Sequence, residues 1–385
     1  MNSRFFFFGE PPHLGGQGLP LHAPHSGPAA FRARGFTIVE LLVCIGIIGL
    51  LIALLMPATQ KAREAGRRVT CQNNIRQVSL GIKLFEDSRK HLPYSGLVAN
   101  AGFSGGYYEP ELQFDGRSGV MQSWVVQILP FIEEGTLAKQ IDPKISILKQ
   151  PNDPQAKVLP TMLCPSETVN RSLFQHPTLT RNKPFAKGNY AAFVSPVHVE
   201  FQSHEPGALI ADRKHRSGKF PDGAGKTMFL SEVRTRDNPR DQRGAWALPW
   251  AGSTLLAFDL HSENTYSGEF WGKVPHIRGS SYRPVSHSKG YTQLPNNPGP
   301  NMDMLYDCDN LADAQLTGMP CDNYSSSGGN NFLSAAPRST HPGGVFVTFG
   351  DNSVKFLVDE VDEFTMGYLI SINDGQIVNL QNAVR

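Results

Sequence analysis

The sequence predicts an α+β protein, in which a long N-terminal helix that begins in a membrane is followed by a mostly antiparallel, β-rich globular head. Three observations carry this reading. The 16 residues 41–56 contain no charge, and with residues 36–39 added the run approaches the roughly 20 residues that cross a bilayer as a helix. Beyond it, Ile75, Val78, Ile82 and Phe85 recur at helical spacing on one face. The remainder is turn-rich, with 37 Gly and 29 Pro in 385 residues, a composition that favours short strands and many turns. The length accommodates one large or two modest domains.

Residues 1–34 hold four consecutive phenylalanines at 5–8 among Pro, Gly and His. They show no helical or strand period and are set aside from the fold. Residues 36–56 form the transmembrane or assembly helix. Glu40 stands near its start, and a carboxylate in hydrocarbon costs a few kcal/mol, so it is a functional candidate. The plain alternative is an anchor whose glutamate snorkels to the interface. Residues 57–91 continue the helix as an amphipathic segment, helped by Ala58, Ala62 and Ala65. Proline costs a helix roughly 3 kcal/mol and one hydrogen bond, so Pro57 is expected to kink it rather than end it. From Phe36 to about Ser88 the helix would measure ~80 Å at 1.5 Å per residue.

Residues 92–385 form the head. Residues 123–132 are mostly apolar, end in Glu133-Glu134 and read as a short helix or strand. Residues 227–233 read as a strand. Val345, Val347 and Phe349, then Gly350-Asp351-Asn352-Ser353, then Val354, Phe356 and Val358 read as a β-hairpin. Residues 364–372 read as a closing helix. Residues 295–331, rich in Pro, Asn, Gly, Ser and Asp, read as a long surface loop.

Charged residues are 18% and the formal net charge is +2, so no nucleic-acid partner is expected. Five cysteines fit an export compartment. Cys44 lies in the apolar run and is expected to act as a buried small hydrophobe. Cys71, Cys164, Cys308 and Cys321 remain as candidate disulfide partners. Cys308 with Cys321 would close the acidic loop, worth about 3 kcal/mol by chain entropy. Cys71 with Cys164 would clamp the helix to the head. The sequence alone leaves the pairing open.

Four further features bear on chemistry. Gly223-Ala224-Gly225-Lys226-Thr227 looks like a phosphate loop, but the Walker pattern needs a glycine where Phe220 stands, so a structural turn is expected. His341 has no accompanying His-Glu-x-x-His or paired Cys-x-x-Cys. It is expected as a hydrogen-bonded histidine that ties the start of the hairpin to the head. Asp303, Asp307, Asp309 and Asp313 surround Cys308 and are weak calcium candidates. Their spacing is not that of an EF-hand, whose glycine and closing glutamate are missing, so a solvated loop is the expected reading. No cofactor and no enzymatic activity are expected.

The string Gly35-Phe36-Thr37-Ile38-Val39-Glu40-Leu41-Leu42 ahead of an apolar run resembles the class III signal of type IV prepilins and pseudopilins. The resemblance implies that a membrane-bound prepilin peptidase cuts between Gly35 and Phe36 and N-methylates Phe36. Residues 1–35 would then be a leader, longer than is usual in this class. Glu40 would become the fifth residue of the mature chain and pair with the methylated amine of Phe36 on a neighbouring subunit, and Pro57 would become the twenty-second. The implied partners are the peptidase, further copies of the chain, other pilin-like subunits and the membrane. The implied product is a fibre or a type II secretion-like pseudopilus. The implied location is a single pass of the bacterial inner (cytoplasmic) membrane, with the head extracytoplasmic and reaching the periplasm or cell surface after assembly. Arg32 and Arg34 suit a cytoplasmic flank, whereas Lys61, Arg63, Arg67 and Arg68 then fall on the outer side, against the positive-inside rule. They would face outer headgroups, acidic patches on neighbouring subunits, or solvent.

The head resembles the bacterial domain of unknown function that commonly follows such a signal and ends in an H-x9-D-G signature. Here the matching residues are His341, Asp351 and Asn352, with Asn in place of the glycine. Asn also tolerates the left-handed conformation of a tight turn. Cys71-Gln72-Asn73-Asn74, Leu163-Cys164-Pro165-Ser166, Gly188-Asn189-Tyr190 and Asp222-Gly223 fit the same family. This resemblance runs from about residue 35 to the C-terminus and implies no ligand. An alternative role is a membrane-tethered module that binds a solute or polysaccharide, with Trp246, Trp250, Trp271 and Tyr282 as candidates to stack on sugars.

Overall fold

In the computed structural model of the chain, the described residues are 35–99, 114–167, 172–203, 205–211, 213–260, 294–299, 302–324, 333–376 and 378–385. The chain divides into two units, one ending at Ala58 and the other spanning Thr59–Arg385. Helix α1 (Ile38–Arg89) contributes to both and contains Pro57. Its start is set by Thr37 and Glu40. The Glu40 carboxylate accepts from the Thr37 N–H at 2.9 Å, and the Glu40 N–H donates to Thr37 Oγ1 at 3.2 Å. This is a reciprocal capping box, which satisfies two of the four donors that a helix leaves open at its N-terminus.

In the unit Thr59–Arg385, α1 buries Cys71, Ile75, Val78, Ile82 and Phe85. Each such apolar side chain is worth about 1.5–3 kcal/mol on burial. At Gly81 a Cβ would stand 2.5 Å from Ile132 Cγ2, so the helix lies against that segment at a separation only glycine permits. One turn further on, the buried carboxylate of Glu86 accepts from the Ser217 N–H at 2.8 Å and Ser217 Oγ at 2.7 Å, and pairs with Lys83 at 3.0 Å.

Strands β1 (Gly96–Leu97) and β2 (Gln122–Ser123) pair antiparallel, and α2 (Trp124–Ile128) and α3 (Gly135–Ala138) follow. The main sheet takes β3 (Tyr190–Ser195), β4 (Met228–Glu232) and β5 (Leu255–Ala257), with β8 (Gly344–Phe349) and β9 (Val354–Val358), in the order β5-β3-β4-β8-β9. The β3–β4, β4–β8 and β8–β9 pairings are antiparallel and β3–β5 is parallel. Every residue of β3, β4 and β8 is buried. Strands covered on both faces need no polar alternation, which is why β4 opens on three consecutive apolar residues, Met228, Phe229 and Leu230. Helix α5 (Glu363–Ile370) packs against β3 and β4 and is capped by Asp362, whose side chain accepts from the Thr365 N–H at 2.9 Å.

The strand at 227–233, the hairpin and the closing helix match the sequence reading. The long loop at 295–331 does not. Its described part holds β6 (Asp303–Leu305), helix α4 (Leu311–Leu316) and β7 (Cys321–Asn323), with β6 and β7 parallel and Asp303 opposite Cys321. Three-residue strands are too short to show a period of two. The α4 cap, Asn310, sits at φ +56° and reads in sequence as a turn residue. The phosphate-loop look-alike is a single helical turn at Ala224–Lys226 whose carbonyl at Ala224 accepts from the Gly350 N–H at 2.8 Å. It buttresses the β8–β9 turn.

Candidate functional site

The unit ending at Ala58 carries the first site. Gly35, Phe36 and Thr37 precede the helix and are exposed, as is every residue of the helix from Ile38 to Met56. Large apolar side chains stand more than half open to solvent around the helix, among them Ile38 at 78% and Leu54 at 67%. An apolar surface of that extent is stable only under lipid or neighbouring protein. The helix is long and apolar enough to cross a membrane and fits a single-pass anchor. Cys44, expected as a buried small hydrophobe, is an exposed free thiol in the single chain. Its burial therefore also waits for whatever covers the helix. Glu40 is more than a lone charge in this surface. Its Oε2 takes both Thr37 donors, the N–H at 2.9 Å and Oγ1 at 2.8 Å. The capping pattern Thr-x-x-Glu was present in the sequence and is the signal that identifies this second role.

The second site lies in the unit Thr59–Arg385, where three short stretches that look unrelated in sequence meet. Cys71 and Cys164 form a disulfide, with Cα atoms 4.7 Å apart. Asn74 Nδ2 donates to the Leu163 carbonyl at 2.7 Å, and the Cys164 N–H donates to Asn189 Oδ1 at 2.9 Å. Tyr190 OH donates to the Cys71 carbonyl at 3.1 Å. Burial raises the Tyr190 phenol well above its ordinary value, and the Glu232 charge adds to this. His341 sits against the disulfide with its side chain fully buried. Its Nε2 stands 3.5 Å from Cys164 Sγ and 3.3 Å from Glu232 Oε1, and its Nδ1 stands 3.5 Å from Glu64 Oε1. Glu232 Oε2 accepts from the Phe346 N–H at 2.8 Å.

Helix α1 supplies much of the rim. Burial works against ionisation of Glu64, but hydrogen bonds from Arg67 and Ser166 outweigh it and hold the carboxyl below its usual range. The Arg68 guanidinium lies 4.5 Å from the Phe356 ring centroid and 5.8 Å from that of Phe346. Half of the basic cluster Lys61, Arg63, Arg67 and Arg68 is thus turned onto its own chain, while Lys61 and Arg63 are exposed. A cleft of about 360 Å³ opens beside the disulfide, lined among others by Thr70, Asn74, Cys164, Lys187 and Asn189. Lys187 is buried and its Nζ donates to the carbonyls of Arg236 at 2.9 Å and Asn238 at 2.8 Å. Burial pushes its ammonium down to about 8. Neither Lys187 nor Glu64 was singled out by sequence, since a lone Lys or Glu carries no pattern.

The signature residues do not form one chemical site. His341 precedes β8 and Asp351 follows it. Asp351 Oδ1 accepts from the Ser353 N–H at 2.9 Å, and Asn352 holds φ at +67°. Both are turn residues.

A family model described as a protein of unknown function (DUF1559) matches residues 60–363. The chain belongs to the DUF1559 family. A second model, the prokaryotic N-terminal methylation motif, matches residues 31–56. The DUF1559 match thus covers the disulfide junction, and the methylation motif covers Gly35, Phe36 and Glu40. Neither description names a catalytic activity. No curated protein and no solved structure matches the chain.

The remaining sequence candidates in this DUF1559 head are held in structural contacts. Asp303 pairs with Arg243 at 2.9 Å and with Arg338 at 3.2 Å. Asp307 meets His176 at 3.0 Å, Asp309 meets Arg240 at 3.5 Å, and Asp313 pairs with Arg236. Calcium needs six to eight oxygens in one shell, and these pairings oppose it. Cys308 and Cys321 form the second disulfide. Trp246 and Trp250 are fully buried and donate from Nε1 to the carbonyls of Lys157 and Gly116, each at 2.9 Å. They are core residues, which removes them as sugar platforms. Trp271 and Tyr282 lie outside the described residues. The sequence reading finds no Gly-x-Ser-x-Gly nucleophile pattern, but Gly102-Phe103-Ser104-Gly105-Gly106 fits it and also lies outside the described residues.

Proposed function

We propose that this protein is a pilin-like structural subunit without catalytic activity, cut by a prepilin peptidase between Gly35 and Phe36 and assembled through its N-terminal helix into a fibre or secretion pseudopilus. The observation that carries this reading is the match to the methylation motif over residues 31–56, which takes in the stretch of α1 from Ile38 to Met56 whose apolar surface is exposed all round. The mature chain would sit in the inner membrane with its head outside. Glu40 would then serve two partners. One oxygen caps the helix through Thr37, and a carboxylate has about four acceptor positions, so the other oxygen is available to the methylated amine of the next subunit's Phe36. An ion pair formed in hydrocarbon favours insertion of that subunit, because an unpaired carboxylate there is costly.

N-terminal sequencing of the mature protein tests the processing half and should start at methyl-Phe36. A Gly35 substitution should leave the band unshifted on a gel. Glu40→Ala should be cut as usual yet give no filaments and no cross-linked ladder. Normal filaments from that variant would overturn the assembly half while leaving the processing half standing.

A further inference from the structure

We propose that Cys71, Cys164, His341 and Glu232 form a redox-gated site for a soft divalent cation of the zinc class, closed while the Cys71–Cys164 disulfide is intact and created by its reduction. The four donor atoms lie within 4.8 Å of one another, and all four residues are buried. A tetrahedral zinc centre with bonds of ~2.3 Å to sulfur and ~2.0 Å to nitrogen and oxygen sets the nitrogen about 3.5 Å from sulfur and about 3.3 Å from oxygen. His341 Nε2 stands 3.5 Å from Cys164 Sγ and 3.3 Å from Glu232 Oε1. Two edges of the tetrahedron therefore already have their required lengths. The sulfur–sulfur edge does not, since the two sulfurs are bonded at 2.08 Å and would separate to about 3.8 Å around zinc, and the three other donor pairs, which lie within 4.8 Å, would close to about 3.5 Å.

A second observation points to a ligand independently of these distances. Glu232 Oε1 and His341 Nδ1 are both buried without an aligned hydrogen-bond partner. Buried polar atoms in that condition are uncommon and call for an explanation. A cation at the tetrahedron's centre satisfies Glu232 Oε1 directly. Binding through Nε2 places the imidazole proton on Nδ1, which faces Glu64 Oε1 at 3.5 Å. A carboxylate behind a metal-binding histidine is the usual device for fixing its tautomer.

The chemistry balances with a dithiol as reductant, reaching Cys164 through the adjoining cleft. The dithiol gives two electrons and two protons. The Cys71–Cys164 bond breaks, two S–H bonds form, and the dithiol becomes its own disulfide. The cation then displaces both thiol protons to solvent and binds two thiolates, the imidazole and the carboxylate.

The test uses the full chain in detergent, a phosphine reductant and Co²⁺ as a spectroscopic probe. Oxidised protein should give no cobalt spectrum. Reduced protein should bind about one Co²⁺ with a thiolate charge-transfer band and the strong visible bands of a tetrahedral centre, both lost on adding Zn²⁺. His341→Gln should weaken cobalt binding at least as much as the 10–100-fold typical of losing an outer-shell partner. Cys71→Ser/Cys164→Ser should abolish the spectrum, and it carries the test if His341→Gln does not fold. Reduced protein that keeps its near-ultraviolet circular dichroism but shows no cobalt bands overturns the proposal, as does a spectrum that survives in the double serine variant. If reduction unfolds the protein, Zn²⁺ should restore the fold, and failure to do so also overturns it.

Discussion

At Asn352 the backbone holds φ +67° in the β8–β9 turn, where its N–H donates to the Phe349 carbonyl at 2.8 Å. Left-handed backbone costs most L-residues roughly 1–2 kcal/mol, and least for Gly and Asn. Asn352→Gly, which completes the family signature, should therefore leave the denaturation midpoint within about 0.5 kcal/mol of wild type, while Asn352→Val should lose roughly 1–2 kcal/mol. The signature was legible in sequence because turn chemistry is local. The surroundings of His341 were not, because its neighbours come from positions 64, 164 and 232. Another buried group sets a pH dependence. Burial pushes the Asp374 carboxyl up to about 7, opposed by the Gln376 N–H and helped by the Asp222 charge nearby. A carboxyl raised in the folded state contributes stability in full below its unfolded value of about 4, and loses it as pH rises through about 7. Compared between about pH 5 and about pH 8 by denaturant melts, Asp374→Asn should remove on the order of 1–2 kcal/mol of the wild-type decline.

Among the elements, the hairpin, the β4 strand and the closing helix were readable because each has a local period or a turn signal. Strands β6 and β7 were not. Their register rests on non-local contacts, with Arg243 and Arg338 on Asp303 and the Cys308–Cys321 disulfide beside it. The buried stripe of α1 was also legible, but its polar contacts were not. Glu86 on that helix accepts two hydrogen bonds from Ser217 and pairs with Lys83. Glu86→Ala would leave the Ser217 N–H buried without an acceptor, at a cost of about 2–3 kcal/mol. The check is the denaturant midpoint of the head transition. Glu86→Gln, which keeps an acceptor in place, should recover about half of the loss.

For the whole molecule, the sequence announces its N-terminal methylation motif more clearly than its head's chemistry. The N-terminal methylation motif lies in consecutive residues, so a local string carries it whole. The head's polar junction is assembled from segments up to 277 positions apart, Glu64 to His341, and no spacing rule connects them. In the fibre proposed above each subunit would carry load, and there the Cys71–Cys164 bond acquires a mechanical meaning. It spans 93 positions, so a pull applied between the N-terminal helix and the C-terminus bypasses everything enclosed by that loop. At 3.3–3.6 Å per extended residue the bypassed chain amounts to ~300 Å of contour length. Single-molecule stretching of the oxidised protein should come up short by about that length, and adding reductant should release it as slack. The same two sulfur atoms would then set how far a strained subunit can lengthen before its head gives way.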